Sequence, residues 1–489
     1  DRGGELLVEA PTGIGKTAAV LYPAVKALAA GKHDRIAYIT AKTVGRRTAE
    51  ETLESFRADG LSLPALTLTA KERICFAPGK ACHGDDCRFA RGYYDRLPAA
   101  LEAAIQSPAL HQQDIEQLAR QFDICPYQLG LDLLPWVDLV IADLHYVYSL
   151  TATLGGMIKE DGRRWTVLLD EAHNLENAAT SYFTRNLTLS MFMKVLGGLL
   201  GTRAGKGYLV SLRNRGLLDD ERFEELAGRL HEARGAALEL FAMLEHFVAS
   251  LQGESGAAGG AVFEVNQELR ARPEWERVTA GMDSLYRTSS LLLTRLASFR
   301  DSLEERGREP AVRQVDGFCG FLVDAVEHIN RFLGEDDPVY VRWIEKRRES
   351  GIVVSAVEVG ELLQELVFSR MKTLVLTSAT LTVGGDFGFY RSRLRLDDQA
   401  PAVSIPSSFD YDRQMLALVP TDMPPPDHPD YAGRVSEAVA QLIRLTGGRA
   451  FVLFTSYRMM DQVYEAVSRM DSGRPLLKQG EGSLLKQGE

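Results

Sequence analysis

The sequence predicts an α/β fold with a parallel sheet that two insertions interrupt. Apolar runs at 6–10 and 36–40 alternate with helical periodicities at 17–30 and 44–56. Strands that alternate with helices of this length are typical of βαβ units, whose strands are parallel. The first run leads directly into a glycine-rich turn, as in nucleotide-binding folds. Further apolar runs with strand character occur at 138–142, 166–170, 351–355 and 373–377.

The composition is that of an ordinary globular protein. Apolar residues make up 45% and charged residues 25% of the 489 residues, which excludes disordered and fibrous classes. No stretch approaches the roughly 18 apolar residues of a membrane span, and no targeting segment is recognisable. We therefore expect a cytoplasmic protein without a membrane partner. The net charge of -11 excludes a basic surface over the whole molecule, although it permits a local basic groove for nucleic acid.

Two segments break the alternation and are expected to be insertions. Residues 71–130 carry four of the five cysteines in an irregular setting with several glycines and prolines. Residues 176–350 show long helical periodicities, for example over 223–251 and 284–305, with a glycine-rich stretch at 253–260. The leucine stripes of these helices predict a helical core rather than a binding groove.

A second α/β unit is expected to begin after a proline-rich linker. Its predicted elements are a helix at 431–445, a strand at 450–454 and a helix at 457–470. The hexapeptide Leu-Leu-Lys-Gln-Gly-Glu at 476–481 recurs at 484–489. Such a terminal duplication is more typical of truncation than of a fold repeat, and we expect both ends of the chain to lack material.

The turn after the first strand has the pattern of a phosphate-binding P-loop. Residues 10–17 read Ala-Pro-Thr-Gly-Ile-Gly-Lys-Thr, with Ala in place of the first glycine. The glycines let backbone N–H groups point at phosphate, and the following helix adds its positive end. Lys16 is expected to reach the β- and γ-phosphates, and the Thr17 hydroxyl to ligate Mg²⁺. The alternative is a plain glycine turn. The residues expected to bind the nucleotide are Gly13, Ile14, Gly15, Lys16, Thr17 and Asp170.

Two acidic residues follow another apolar strand, in the sequence Asp-Glu-Ala-His at 170–173. Asp170 is expected to hold Mg²⁺, and Glu171 to orient and deprotonate the attacking water. His173 is expected to connect the phosphate site to a second domain, and its alternative is a surface histidine that begins a helix. The hydroxyl-rich sequence Thr-Ser-Ala-Thr at 377–380 follows a third strand.

In this order, the motifs resemble those of the XPD/DinG branch of the superfamily 2 DNA helicases. The resemblance implies two RecA-like motor domains, the first interrupted by an iron–sulfur domain and a helical arch. It implies ATP-driven 5′→3′ translocation on single-stranded DNA, with Thr43 at the DNA backbone and with Ser378 and Thr380 coupling phosphate state to DNA binding. The arginine-finger motif and an adenine-contacting segment of the family are not found in this sequence. The resemblance rests on residues 9–17, 40–43, 170–173, 377–380 and 454–456 and on the cysteines.

The resemblance also implies the order of the domains. Residues 1–70, 131–175 and 351–400 are expected to form the first motor domain, 71–130 the iron–sulfur insertion, 176–350 the helical arch, and 401–489 a truncated second motor domain.

Four cysteines have the spacing Cys-x6-Cys-x4-Cys-x37-Cys. Structural zinc sites use paired Cys-x2–4-Cys knuckles, and only one of these gaps qualifies. Four thiolates suit a [4Fe–4S] cluster, which the resemblance places in this insertion, and zinc or unliganded thiols are the alternatives. Cys319 is expected to be a core residue. The proposed ligands are Cys75, Cys82, Cys87 and Cys125.

Charged and aromatic residues alternate beside the third cysteine. Single-stranded nucleic acid favours such surfaces, because rings stack on bases and Arg binds phosphate. The alternative is an amphipathic helix with a solvated Arg face. The residues concerned are Arg88, Arg91, Tyr93, Tyr94 and Arg96.

The expected function is that of an ATP-dependent DNA helicase in repair or replication. The expected partners are single-stranded DNA and DNA junctions, and the expected state is a monomer. The alternative is a nucleotide-dependent DNA-binding or damage-sensing module that does not unwind DNA. A nuclease domain outside this chain is a third possibility.

Overall fold

The structure is a computed structural model that divides the chain into two units, Asp1–Ser407 and Ser408–Glu489. The glycine-rich stretch at 253–260 and the second copy of the hexapeptide lie outside the described residues. Among the helices that are described, none has the length and apolar character that crossing a membrane requires. The described residues are 3–79, 82, 87–148, 153–160, 162–201, 207–252, 261–334, 339–470 and 475–479.

Two sheets form in the first unit. One sheet has eight parallel strands in the order β12-β1-β11-β6-β2-β5-β3-β4, and the other has four antiparallel strands in the order β7-β10-β9-β8. In chain order the strands are β1 (Gly4–Glu9), β2 (Arg35–Thr40), β3 (Ala65–Thr67), β4 (Ala109–Leu110), β5 (Leu139–Ala142), β6 (Trp165–Asp170), β7 (Arg185–Thr188), β8 (Ala261–Glu264), β9 (Tyr340–Lys346), β10 (Ser350–Ala356), β11 (Thr373–Ser378) and β12 (Ala402–Ser404).

Helices pack against both sheets, and three α-helices lie in the described part of the second unit. Short 3₁₀ segments occur at Leu134–Trp136, Ala172–Asn174 and Phe368–Arg370. The α-helices are α1 (Lys16–Ala29), α2 (Thr43–Ala58), α3 (Lys71–Ile74), α4 (Tyr93–Ala104), α5 (Gln112–Phe122), α6 (Pro126–Asp132), α7 (His145–Tyr148), α8 (Thr153–Glu160), α9 (Leu175–Phe183), α10 (Leu189–Leu200), α11 (Tyr208–Asn214), α12 (Asp220–Gln252), α13 (Gln267–Arg270), α14 (Pro273–Glu305), α15 (Glu309–Leu333), α16 (Val359–Leu366), α17 (Gly388–Leu394), α18 (Tyr411–Gln414), α19 (Tyr431–Leu445) and α20 (Tyr457–Arg469).

The large sheet confirms the predicted α/β fold. Strands β2, β5 and β6 are buried along their whole length, which is why each reads as an unbroken apolar run rather than an alternating one. Along β2, Ala37 and Ile39 join the core on one face, and Ile36 and Tyr38 join the core on the other face with Leu21 of α1. The carboxyl ends of these parallel strands therefore share one protected edge, where α/β proteins bind ligands.

The strand predicted at 351–355 forms β10 of the antiparallel sheet and not a strand of the parallel sheet. It pairs with β9 through a tight hairpin and with β7 on its other side. Because every residue of β10 is buried, its pattern gives no information about which sheet it joins. The short strands β7 and β8 were not predicted, since each is only partly buried and lies in a region of strong helical periodicity.

Three long helices pack on the antiparallel sheet, and the helices predicted at 223–251 and 284–305 are confirmed as α12 and α14. Trp275 of α14 lies between Phe247 of α12 and Phe332 of α15, with ring centroids 5.8 Å and 6.3 Å apart. Glu245 of α12 pairs with Lys346 of β9 and accepts a 2.7 Å hydrogen bond from the Ser350 N–H. Aromatic packing therefore holds the three helices together, and the contacts of Glu245 fix α12 to the sheet.

The second unit contains the predicted helices at 431–445 and 457–470, now α19 and α20. Their apolar faces meet through Ala440, Ile443, Val463 and Val467. The strand predicted at 450–454 is wrong for this structure, because the segment has no strand partner in the described part of the unit. A strand needs a neighbour for its backbone hydrogen bonds, and Phe451 is 89% exposed here.

A histidine joins the cysteine-bearing insertion to α2. His111, which precedes α5, lies 3.3 Å from Glu50 and 3.2 Å from Glu54. The contact with Glu50 raises the pKa of His111 above 6.5 despite burial, which acts in the opposite direction. The stability that this contact contributes is therefore complete below the unfolded pKa and is lost as pH rises through the folded pKa.

We expect the His111→Gln variant to unfold more easily than the unsubstituted protein at about pH 6 but not at about pH 9. The difference should be about 0.2–1 kcal/mol, as for a partly exposed ion pair. Denaturant unfolding at the two pH values measures it. An equal loss of stability at both values would show that packing, rather than the charge of His111, is what matters.

Candidate active site

The P-loop connects β1 to α1 at the carboxyl edge of the parallel sheet. The N–H of Ala10 donates a 2.8 Å hydrogen bond to the Ser378 carbonyl at the end of β11. Gly13 and Gly15 have φ values of 83° and 87°, in the left-handed region that favours glycine. Ile14 between them is half-buried. The turn therefore ends at the N-terminus of α1, which is a favourable site for phosphate.

Lys16 is the first residue of α1, and its ammonium group forms hydrogen bonds with the loop that precedes the helix. Its Nζ atom donates to the carbonyl oxygens of Ala10 at 3.0 Å and Pro11 at 3.1 Å. These bonds hold the cation inside the curve of the loop. The side chain is thus placed beside the backbone N–H groups that would surround a phosphate.

Asp170 ends β6 and is connected to the P-loop through Tyr38. Its carboxylate accepts hydrogen bonds of 3.0 Å from the hydroxyls of Tyr38 and Thr377, and the Tyr38 hydroxyl lies 3.5 Å from that of Thr17. Burial, reinforced by the Asp170 charge, raises the pKa of Tyr38 well above its usual range, so Tyr38 remains a donor. The structure therefore brings the predicted Mg²⁺ ligands Thr17 and Asp170 to one place.

Tyr38 and Thr377 were not predicted as site residues. Tyr38 lies in the second apolar run and Thr377 at the end of another, so each resembles an ordinary strand residue. A polar hydroxyl within a fully buried parallel strand is the signal that could have identified Tyr38, since buried hydroxyls require partners.

Glu171 and His173 follow in a strained turn. Glu171 has a φ of 55°, which is uncommon for a residue with a side chain. Its Oε2 atom lies 3.6 Å from Lys42 Nζ and 3.4 Å from His173 Nδ1. The His173 Nδ1 atom is also 2.7 Å from the Ser378 hydroxyl. The structure thus joins the acidic turn to the end of β11.

Ser378 and Thr43 have further contacts that the sequence did not reveal. The N–H of Thr380 donates to the Ser378 hydroxyl at 3.3 Å. Thr43 begins α2, and its hydroxyl accepts a 3.0 Å hydrogen bond from Arg73 of α3. Arg73 therefore joins the cysteine-bearing insertion to the segment predicted to contact DNA.

Glu9, the last residue of β1, was not predicted as a site residue. Its carboxylate accepts 2.7 Å hydrogen bonds from the N–H groups of Leu381 and Thr382, and longer ones from the hydroxyls of Thr382 and Ser404. Burial alone would raise the pKa of Glu9, but these bonds outweigh burial and lower it. One carboxylate thus holds the P-loop strand to two later segments of the chain.

The cysteines differ in exposure. Cys87 is buried, Cys75 and Cys125 are half-buried, and Cys82 is exposed. Burial raises the pKa of the Cys125 thiol, with smaller contributions from Cys82 and Cys75. Within the described ranges, which omit 80–81 and 83–86, no three Cys, His, Asp or Glu side chains are arranged to hold a metal ion.

The aromatic and basic residues near Cys87 do not form one exposed surface. Tyr93 is buried and its hydroxyl donates a 2.8 Å hydrogen bond to Asp132, so its ring cannot stack on a base. Arg88 and Arg96 pair with Asp123 at 2.6 Å and 3.3 Å, whereas Tyr94 is 40% exposed. The amphipathic-helix alternative is therefore favoured for Tyr93.

Cys319 is confirmed as part of the helical core. It is half-buried against the helices packed on the antiparallel sheet. Burial raises the pKa of its thiol to about 11, so the thiol stays protonated and unreactive near neutral pH.

Comparison with known proteins agrees with the motif order. Residues 63–191 match the DEAD_2 family. The chain is 28% identical over 383 residues to the 3'-5' exonuclease DinG of Bacillus subtilis, covering 71% of this chain and 40% of that protein. It is 28% identical over 330 residues to the ATP-dependent DNA helicase YoaA of Escherichia coli, covering 66% and 45%.

The chain thus spans less than half the length of these two relatives. A solved structure of an XPD helicase aligns with a TM-score of 0.47 and 14% identity, covering 94% of this chain and 71% of that one. The family match and the relatives confirm the resemblance that the motifs indicated, which is to the XPD/DinG branch of the superfamily 2 helicases.

Proposed function

We propose that this chain is the ATP-hydrolysing part of a DNA helicase that moves 5′→3′ on single-stranded DNA and separates duplex DNA. The single observation that carries the proposal is the hydroxyl chain from Thr17 through Tyr38 to Asp170, which joins the P-loop to the acidic turn. We further propose that the protein acts as a cytoplasmic monomer on single-stranded DNA and DNA junctions in repair or replication.

Each side chain of the site has a proposed role. Lys16 and the N–H groups of 13–17 bind the phosphates, and Thr17 and Asp170 hold Mg²⁺. When bound, Mg²⁺ neutralises charge on the phosphates during transfer. Glu171 accepts a proton from the attacking water. It directly follows the metal ligand Asp170, and its side chain remains partly exposed.

The contacts of His173 support a role in coupling. Its Nδ1 atom is within reach of both Glu171 and Ser378. A shift of Glu171 during hydrolysis would therefore be transmitted to the end of β11 and to Thr380. Thr43, joined to Arg73, is the proposed contact for the DNA backbone, and the positive end of α2 favours phosphate there.

ATP hydrolysis measured with and without single-stranded DNA tests the proposed function, together with strand displacement on substrates with a 5′ or a 3′ overhang. We expect DNA to stimulate hydrolysis and the 5′-overhang substrate to be unwound. Hydrolysis that DNA does not change would contradict the helicase proposal. Stimulated hydrolysis without displacement of either strand would instead support the DNA-binding module.

We also propose that Cys75, Cys82, Cys87 and Cys125 ligate a [4Fe–4S] cluster. The electrostatic influence of Cys82 and Cys75 on Cys125 supports their proximity. The Ala77 N–H lies 3.4 Å from the Cys75 sulfur, and such bonds tune iron–sulfur clusters. The cluster, when bound, would supply a rigid anchor for the insertion, which we propose acts as the wedge at the duplex.

Lys71 adds a favourable charge to this proposed cluster site. Its contact with the Cys82 thiol raises the pKa of Lys71 above its usual value, although burial acts in the opposite direction. The ammonium group therefore stays charged beside the thiols and would offset the negative charge of four thiolates.

A further inference from the structure

We propose that Lys42 restrains Glu171 in the absence of DNA and that a DNA phosphate draws Lys42 away, which frees Glu171 to act as the base. This inference rests on the proposed function and adds a positioning residue to it. It would make ATP hydrolysis dependent on DNA through one side chain of the described structure.

Lys42 lies between the acidic turn at Glu171 and the proposed DNA contact at Thr43. Its Nζ atom lies 3.6 Å from the Glu171 carboxylate, and its side chain is 58% exposed against 21% for that of Glu171. Lys42 is also the residue directly before α2, where it serves as the N-cap. A small rotation of its long side chain therefore suffices to move the ammonium from Glu171 to an anion near Thr43.

The surroundings of Lys42 attract such an anion. The N-terminus of α2 carries the positive end of the helix dipole, and Arg73 donates to the hydroxyl of Thr43 at this same point. Two cationic side chains and a helix N-terminus thus meet where the DNA backbone is proposed to bind. A phosphate there would compete with Glu171 for Lys42.

The turn makes Glu171 sensitive to this competition. Its left-handed backbone restricts where its carboxylate can lie, and His173 on the other side is already bonded to Ser378. A carboxylate held by an ammonium group is also not free to turn toward an attacking water. Removing the Lys42 contact should therefore free the Glu171 carboxylate to reach that water without altering the P-loop.

The ion pair between Lys42 and Glu171 is weak enough for DNA to break. An ion pair this exposed shifts an equilibrium by only about two- to fivefold, so binding of DNA phosphate can readily exceed it. Because such coupling is reciprocal, breaking the contact between Lys42 and Glu171 should change the affinity for DNA by the same factor.

The test compares Lys42→Met with Lys42→Arg by measuring ATP hydrolysis without DNA and with saturating oligothymidylate. We expect Lys42→Met to raise the DNA-free rate about two- to fivefold and to reduce the stimulation ratio correspondingly. Lys42→Arg keeps a cation beside Glu171 and should retain most of the stimulation. Lys32→Met, an exposed lysine at the opposite edge of the sheet, is the matched control.

Two results would overturn the inference alone. An unchanged stimulation ratio in Lys42→Met would show that Lys42 does not restrain Glu171. An equal fall of both rates would show that Lys42 assists the base. By contrast, an unsubstituted chain whose hydrolysis is indifferent to DNA would overturn the proposed function, and this inference with it.

Discussion

Replacing Lys16 by alanine is expected to reduce ATP hydrolysis at least ~100-fold, as does the loss of one preorganised group that stabilises transition-state charge. The ammonium is positioned before nucleotide binds, because the carbonyls of Ala10 and Pro11 hold it inside the loop. Binding of a triphosphate would replace these two bonds by contacts with phosphate. The binding and stabilising roles of Lys16 are therefore both lost in the variant.

The stability of the protein should change little in the same variant. Lys16 is half-buried and its Nζ atom bonds to two carbonyls of the adjacent turn, and substitutions near the surface usually shift stability by less than about 0.5 kcal/mol. Hydrolysis and thermal unfolding are measured on Lys16→Ala and on the control Lys26→Ala. Lys26 lies on the same helix, over the Tyr22 ring at 5.5 Å. A Lys16→Ala protein that hydrolyses ATP at the unsubstituted rate would refute the P-loop assignment.

Replacing Cys82 by serine is expected to remove the proposed cluster, so that iron falls from about four atoms per chain to about none and absorbance near ~400 nm disappears. Cys82 is the most informative position because its side chain is exposed. Without a cluster, serine in place of an exposed cysteine would cost little stability. A large loss of iron and stability therefore reports ligation and not packing.

Elemental analysis, visible absorbance and thermal unfolding of the purified protein provide the measurements. Cys319→Ser is the matched control, since Cys319 packs among helices outside the insertion and should leave the iron content unchanged. One zinc and no iron in the unsubstituted protein would contradict the cluster. So would a Cys82→Ser variant that keeps its iron.

Five strands of the parallel sheet (β1, β2, β5, β6 and β11) could be predicted because they are apolar, largely buried runs. The strands β3, β4 and β12 have only two or three residues each and were not predicted. Burial made the prediction wrong at 351–355, where a fully buried run joins the antiparallel sheet instead of the parallel one. Burial produces the same apolar pattern in either sheet, and only pairing distinguishes them. The segment 450–454 is apolar in the same way, yet without a neighbouring strand the pattern produces no strand.

The residues of the candidate site also fall into those that the sequence could predict and those that it could not. Lys16, Asp170 and Glu171 could be identified because phosphate chemistry requires fixed residue types at short spacing. Tyr38 and Lys42 could not, since each meets the acidic turn across more than a hundred residues of chain. Such contacts depend on which strands are neighbours, and β2 lies beside β6 only after the insertion between them has looped out.

The pairing of β1 has a consequence for synthesis of the protein. Both of its neighbours, β11 and β12, lie more than 360 residues further along the chain. At about 5–20 residues per second, a ribosome needs roughly 20–70 s to reach them. During that time the first strand emerges with unpaired backbone groups, and a nascent chain in this condition is a natural client for chaperones.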